Sequence, residues 1–286
     1  MEGNNVIQPD LVRMVTVRPL DLPDFSNPPV AETVLSVQFD RLSAIRTAHF
    51  GLFWGELRDR FPETAEQVEL PSVIERQPDQ LQPSVGIQFE ALEAPPSPRF
   101  WFVNKDGTEL IQLQRDRFLK NWRKTGETDS YPRYERIRQG FDSDLECFLK
   151  FVTLNKLGTV RVNQYEVSYV NHIVAGEGWK THSEIERVFT CWRQPIATHP
   201  GQVQDLAFRA RYPIYNKDGI FVGRLYATLQ SATRLTDGTP MFVFDLTARG
   251  QCVDGIDFFD LGRECIVRSF AEFTTPTMHH IWGRRR

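Results

Sequence analysis

The sequence predicts an α+β fold in which two βαβββα pseudo-repeats build an antiparallel sheet with helices gathered on one face. Three observations lead there. Segments such as Val30–Phe39 and Val160–Ile173 alternate apolar and polar residues with period two, as half-buried strands do. Two stretches, ending near Val152 and Phe273, carry apolar residues at spacings of three and four, as helices do. The order strand, helix, three strands, helix then occurs twice, over 30–158 and 159–286, behind an extended arm over 1–29 rich in Pro and Asp. The halves share an order and not an alignable sequence, and they are expected to form one continuous unit.

The elements follow in turn. The arm is expected to carry a short strand at Met14–Val17. In the first strand Ala31, Thr33, Leu35, Val37 and Phe39 share a face. Ser43 is a plausible N-cap for a helix whose line is Phe50, Phe53, Trp54, Leu57 and Phe61, stopped by Pro62. Residues 63–82 read as a polar loop punctuated by Pro, followed by strands at Val85–Leu92, Arg99–Val103 and Glu109–Gln114. Arg115 to Lys124 reads as a basic aromatic corner. Ser130 or Tyr131 then caps a helix with Pro132 in its first turn, carrying Tyr134, Ile137, Phe141, Leu145, Phe148 and Val152. In the second half a strand carries Tyr165, Val167 and Tyr169 on one face. Ser183 with Glu186 has capping-box spacing for a short helix. Strands at Asp205–Tyr215, Ile220–Gln230 and Pro240–Arg249 are joined by the turn sequences NKDG and TDGT. A final helix opens at Asp254 or Asp257 and runs through Phe259, Ile266, Phe270 and Phe273. This order is similar to that of TATA-binding-protein and helix-grip folds, an analogy of topology that implies no activity.

Composition narrows the function classes. With 41% apolar residues, including 21 Phe and 6 Trp, the chain can bury a large core. A net charge of −3 offers phosphate no global attraction, so nucleic-acid binding would need a local basic patch. Cys147, Cys191, Cys252 and Cys265 are far apart with no CxxC, which suits reduced, buried thiols in a cytoplasmic protein. MEGNNVIQPD lacks the pattern of a signal peptide, and no apolar run approaches the length of a membrane span.

No motif supplies catalytic chemistry. GEGWKTH (176–182) sits where a phosphate loop would, between a strand and a capped helix, but Trp179 replaces the required Gly, Glu177 would repel phosphate and the loop is short. His279 and His280 are adjacent, which disfavours their sharing one metal. No catalytic residue, cofactor or metal site is expected. Two surfaces remain. In the corner, Arg115, Arg117, Lys120, Arg123 and Lys124 interleave with Phe118 and Trp122. Bases could stack there while the cations hold phosphates, or the two aromatics, spaced i and i+4, could anchor a turn of helix. The other is the polar face of the sheet, with Arg209 and Arg211 on one strand and Arg224, Thr228 and Gln230 on the next. Asp245, Thr247 and Arg249 lie on a third strand, and Gln164 and Glu166 on a fourth. Left to solvent it is the wet side of the sheet; if the sheet curves, it lines a concave surface suited to protein or nucleic acid. The terminal GRRR is a solvated tail or a contact for an acidic partner.

NPPVAETVLSVQF, the FW of the first helix, QLQRDRFLKNWRK with YPRYERI, NQYEVSYVNHI and the terminal HHIWGR together resemble a sporadically distributed bacterial and archaeal family of about this length. The resemblance spans nearly the whole chain, with RF-x-x-NWRK…YP-x-Y its most specific part. It implies a single architecture, a cytosolic protein and, through patchy occurrence, a setting like that of anti-phage defence genes; it carries over no catalytic residues. The expected function is thus a non-enzymatic protein-interaction module, a subunit or regulator of a defence assembly with a protein partner or a second copy. The alternative is single-stranded nucleic-acid binding through 115–124 or the polar sheet face.

Overall fold

The computed structural model describes residues 18–78, 98–193, 203–251 and 257–286. In chain order the elements are β1 (Val30–Phe39), α1 (Thr47–Leu57), β2 (Glu63–Val68), β3 (Pro98–Val103), β4 (Glu109–Gln114), β5 (Arg117–Arg123) and α2 (Tyr134–Leu154). There follow β6 (Val162–Val174), a 3₁₀ turn (His182–Arg187), β7 (Ala207–Tyr215), β8 (Phe221–Thr233), β9 (Pro240–Gly250), α3 (Phe258–Phe273) and α4 (Pro276–Ile281). Nine antiparallel strands form one α+β sheet in the order β2-β3-β4-β5-β1-β6-β9-β8-β7. The first strand of each half, β1 and β6, meet at the centre, with Val37 opposite Tyr165 and Gln38 opposite Gln164.

One face of the sheet carries the helices. The odd-numbered residues of β1 point there, and Phe39 meets Phe148 of α2. Phe118 stacks on Phe148 at 5.5 Å, Phe53 of α1 meets the same ring at 5.6 Å, and Phe141 reaches Phe259 of α3 at 5.0 Å. Each such ring removed from water contributes about 1.5–3 kcal/mol, so this aromatic line fastens the helices to both halves of the sheet.

Several expected elements are displaced. Arg117–Arg123 is a strand in the interior of the sheet and not a corner or helical turn, because β4 pairs with it on one side and β1 on the other. The polar stretch 63–68 is the edge strand β2. Met14–Val17, Val85–Leu92 and Cys252 lie outside the described residues. Helix α1 starts after Arg46, whose N–H is accepted by Nδ1 of His49, so Ser43 is not its cap. Before α2, Arg133 turns the chain at φ 74° and donates to the carbonyl of Phe25, which leaves Pro132 ahead of the helix. The capping box of the 3₁₀ turn is Thr181 with Glu184. Asp257 caps α3 by accepting from the Phe259 N–H.

The GEGWKTH loop has a packing role. Trp179 is buried, 4.7 Å from Phe242, and Gly178 (φ 85°) passes so close to α4 that a Cβ would strike Ile281 and Met278. Cys191 is exposed, and Cys147 and Cys265 are half-buried, so the expectation of uniformly buried thiols does not hold. Burial pushes the Cys265 thiol up to about 11, which keeps it protonated and unreactive.

The terminal arginines are exposed to solvent, yet they are not a free tail. The chain near Asp24 pairs with them through backbone bonds, Asp24 N–H to Arg286 C=O and Arg285 N–H to Asp24 C=O. Phe25 packs edge-on against Phe270, His279 and Trp282. His279 is buried, bonded to the Thr274 hydroxyl at 2.9 Å and to Arg284 at 3.0 Å. Burial, aided by Arg284, holds its pKa below the ordinary histidine value. A base with a depressed folded pKa adds stability that is complete above the unfolded value, near 6.5, and is lost as pH falls through the folded one. Melting temperature is therefore expected to drop between pH 7 and pH 5 more in the native chain than in His279→Gln, as measured by calorimetry.

Candidate functional site

On the face opposite the helices, strand register aligns one row of polar side chains. Gln114 faces Arg117, Arg117 faces Gln38 and Gln38 faces Gln164 across β4, β5, β1 and β6. Glu166, the next residue of β6 on that face, faces Arg249 of β9, which faces Arg224 of β8. The row thus crosses six adjacent strands. Gln114, Arg117, Gln38, Gln164 and Arg224 are all buried, an unusual state for polar groups on the helix-free side of a sheet.

What buries them is the chain itself. After β2, residues 70–76 run extended across the strands along this row. Gln114 clamps Leu70 at both ends, accepting from its N–H and donating to its C=O, each at 3.0 Å. Arg117 donates to the Pro71 carbonyl at 2.9 Å. Oε1 of Gln38 accepts from Val73 N–H and Oε1 of Gln164 from Glu75 N–H, both at 2.9 Å. The Glu75 carboxylate ends the row, held by Arg224, by the Tyr226 hydroxyl at 2.6 Å and by Arg249 at 3.6 Å; its side chain is 4% exposed. Arg224 also donates to the Arg76 carbonyl at 3.2 Å. The scale agrees: five strand spacings are about 24 Å and six extended residues reach about 20 Å, the long Arg224 side chain closing the rest.

The amides of the row are oriented by other groups. Gln38 Oε1 also accepts from Arg117 at 2.5 Å, and its Nε2 donates to Asn163 at 3.0 Å. Gln114 Nε2 donates to Asp116 at 2.6 Å. Arg249 is paired with Glu166 at 2.5 Å, and this pair, with Glu75, keeps the Arg249 pKa raised against burial. Burial pushes the Tyr226 phenol up, and the Glu75 carboxylate adds to the shift, so the hydroxyl stays a donor. Nothing in this arrangement activates a nucleophile or moves a proton; it presents fixed donors and acceptors to a backbone, and two guanidiniums to a carboxylate.

The expected site residues divide accordingly. Arg117, Arg224 and Arg249 belong to the row. Phe118 and Trp122 are core residues, and Lys120 points with them to the helix side, where it pairs with Asp144 at 2.7 Å and Glu109 at 3.1 Å. Arg123 donates to the Gly107 carbonyl, Arg115 is half-buried and Lys124 is exposed. The five cations of 115–124 therefore do not share a surface, and no aromatic ring among them is free for a base to stack on. Arg209 and Arg211 are exposed on the edge strand β7, outside the row, with Arg209 6.0 Å from the Tyr226 ring. Gln38, Gln114, Tyr226 and Glu75 were not singled out by the sequence. The only local signal, for Gln38, is a polar residue set between apolar neighbours, VQF.

Two other hollows are less suited to a ligand. A cavity of about 60 Å³ near Tyr131, Tyr169 and Arg263 has room for a few waters only. A cleft of about 370 Å³ over Lys120 has its principal charges already matched, Lys120 and Arg60 sharing Asp144. Among the described residues no group of His, Cys, Asp or Glu could hold a metal ion, and no helix is long and apolar enough to cross a membrane. No protein-family model, curated protein or solved structure matches the chain.

Proposed function

We propose that this chain is a non-enzymatic protein-interaction module that holds an extended protein segment across the polar face of its sheet. One observation carries the reading: a row of oriented side chains grips a peptide backbone from five strands, at Leu70, Pro71, Val73, Glu75 and Arg76, while Arg249 of a sixth reaches the Glu75 carboxylate. The connection that supplies this segment has no need to cross the face. Val68 and Pro98 face each other on β2 and β3, and a hairpin there needs about 2–5 residues, whereas residues 69–97 intervene. In the setting that the family resemblance implies, such a module serves as a subunit or regulator of a bacterial defence assembly, recruiting a protein and transforming no substrate.

The test uses the full chain and a labelled decapeptide of its own residues 69–78, ELPSVIERQP. Saturable one-to-one binding is expected, with faster hydrogen exchange of the chain's own Val73 and Glu75 amides as the peptide takes their place. A folded chain that takes up no peptide at millimolar concentration overturns the reading.

A further inference from the structure

We infer that the face reads a partner's extended peptide through its backbone and one glutamate-like carboxylate, with residues 70–76 occupying the site in cis as that peptide's competitor. This rests on the interaction reading above and adds what the partner must carry. Of the segment 70–76, backbone groups make every polar contact with the row except one, the Glu75 carboxylate. The N–H groups of Val73 and Glu75, two residues apart, lie on the same edge of an extended chain, and the residues between and after them, Ile74 and Arg76, are exposed. Any extended peptide offers those backbone groups. Discrimination therefore falls to the end of the row, where Arg224, Arg249 and Tyr226 converge on a carboxylate.

The chemistry favours a peptide over a nucleic acid. Gln114, Gln38 and Gln164 present carbonyl oxygens outward, and Asp116, Asn163 and Arg117 hold the first two in that orientation. The phosphates of a nucleic acid carry acceptors alone and cannot donate to them; of its backbone groups only a ribose 2′-hydroxyl could. The segment in cis also leaves capacity unused: Arg117 Nε and Gln164 Nε2 are buried and find no acceptor among the described residues. A tethered segment acts as a competitor at an effective concentration on the order of millimolar, so weakening its latch must raise the apparent affinity for the same sequence in trans.

Four measurements test this by fluorescence anisotropy with the decapeptide ELPSVIERQP. Glu75→Gln in the full chain is expected to bind the peptide at least about tenfold more tightly than the native chain does, because the charge-assisted bonds of the cis segment are lost. The peptide with Gln in place of the glutamate that corresponds to Glu75 is expected to bind the native chain and Glu75→Gln at least about tenfold more weakly than the unchanged peptide. Tyr226→Phe, which removes one hydroxyl and leaves the core intact, is expected to narrow the preference for the unchanged peptide over its Gln form several-fold, a ratio in which competition by the cis segment cancels, and decides the matter should Glu75→Gln not fold. A decauridylate is expected to leave the peptide in place. Binding that ignores both glutamates overturns the carboxylate and the competition while the interaction reading stands. Failure of the peptide to bind any of these folded chains overturns the interaction reading itself. Displacement by decauridylate gives the face to nucleic acid and overturns the inference.

Discussion

Replacing Glu75 with alanine is expected to free residues 70–76 from the sheet, with hydrogen exchange of the Val73 and Glu75 amides faster by about a hundredfold. The estimate follows from what the carboxylate does. Its bonds to Arg224 and Tyr226 are charge-assisted, worth roughly 1.5–3 kcal/mol each, and 1.4 kcal/mol is tenfold in an opening equilibrium. Were the segment to stay docked, Arg224, 2% exposed, would be left facing Arg249 with no carboxylate between them, a burial that costs about 3–5 kcal/mol. Lifting the segment lets water reach the guanidinium and caps that cost. The change should therefore be local, a large gain in exchange over 70–76 with a shift of only a few degrees in melting temperature. Unchanged exchange at Val73 would show that the backbone clamps at Gln114, Gln38 and Gln164 suffice without the latch.

On the helix side, Asp144→Asn is expected to lower the unfolding free energy by about 3–5 kcal/mol in urea titrations. Asp144 is fully buried between Lys120 at 2.7 Å and Arg60 at 2.5 Å. Lys120 is itself buried and would keep Glu109 alone, at 3.1 Å, as counter-charge. Its ammonium lies so near α2 that a Cβ on Gly140 would sit 2.9 Å from Nζ, so it has little freedom to swing towards water. The pair is costly to break and not intrinsically stabilising, since desolvation offsets most of its Coulomb energy. Lys120→Met combined with Asp144→Leu should accordingly recover most of the loss. A single Asp144→Asn within 1 kcal/mol of the native chain would mean that the site is wetter than its burial indicates.

Much of the architecture is legible in the sequence because it is local. Period-two alternation marks β1, β6, β8 and β9, and spacings of three and four mark α1, α2 and α3. Strand β5 escapes because four is a multiple of two: Phe118 and Trp122 lie on one side in a strand as they do in a helical turn. The cations between them read as a surface, although three-dimensional neighbours supply a separate partner for Arg117, Lys120 and Arg123. The row on the other face is legible in part: alternation puts Gln164, Glu166, Arg224 and Arg249 on one polar face, but nothing joins Gln38, Gln114 or Glu75 to them. Gln38 and Gln164 meet only because β1 pairs with β6 in one particular register, and no local pattern states that register. Glu75 lies in a polar, Pro-containing stretch whose alternation is too weak to announce that it crosses a sheet.

The placement of the row has a consequence for assembly. Gln114, Arg117 and Gln38 come from the first half of the chain, and Gln164, Arg249 and Arg224 from the second. Each half supplies part of the grip, so the full row exists only once β1 and β6 have joined in register. Once they have, whatever lies in the row becomes a cross-tie over the seam, resisting any splaying of the two halves. On the interaction reading proposed above, a partner that replaced the cis segment would take over its bracing as well as its contacts.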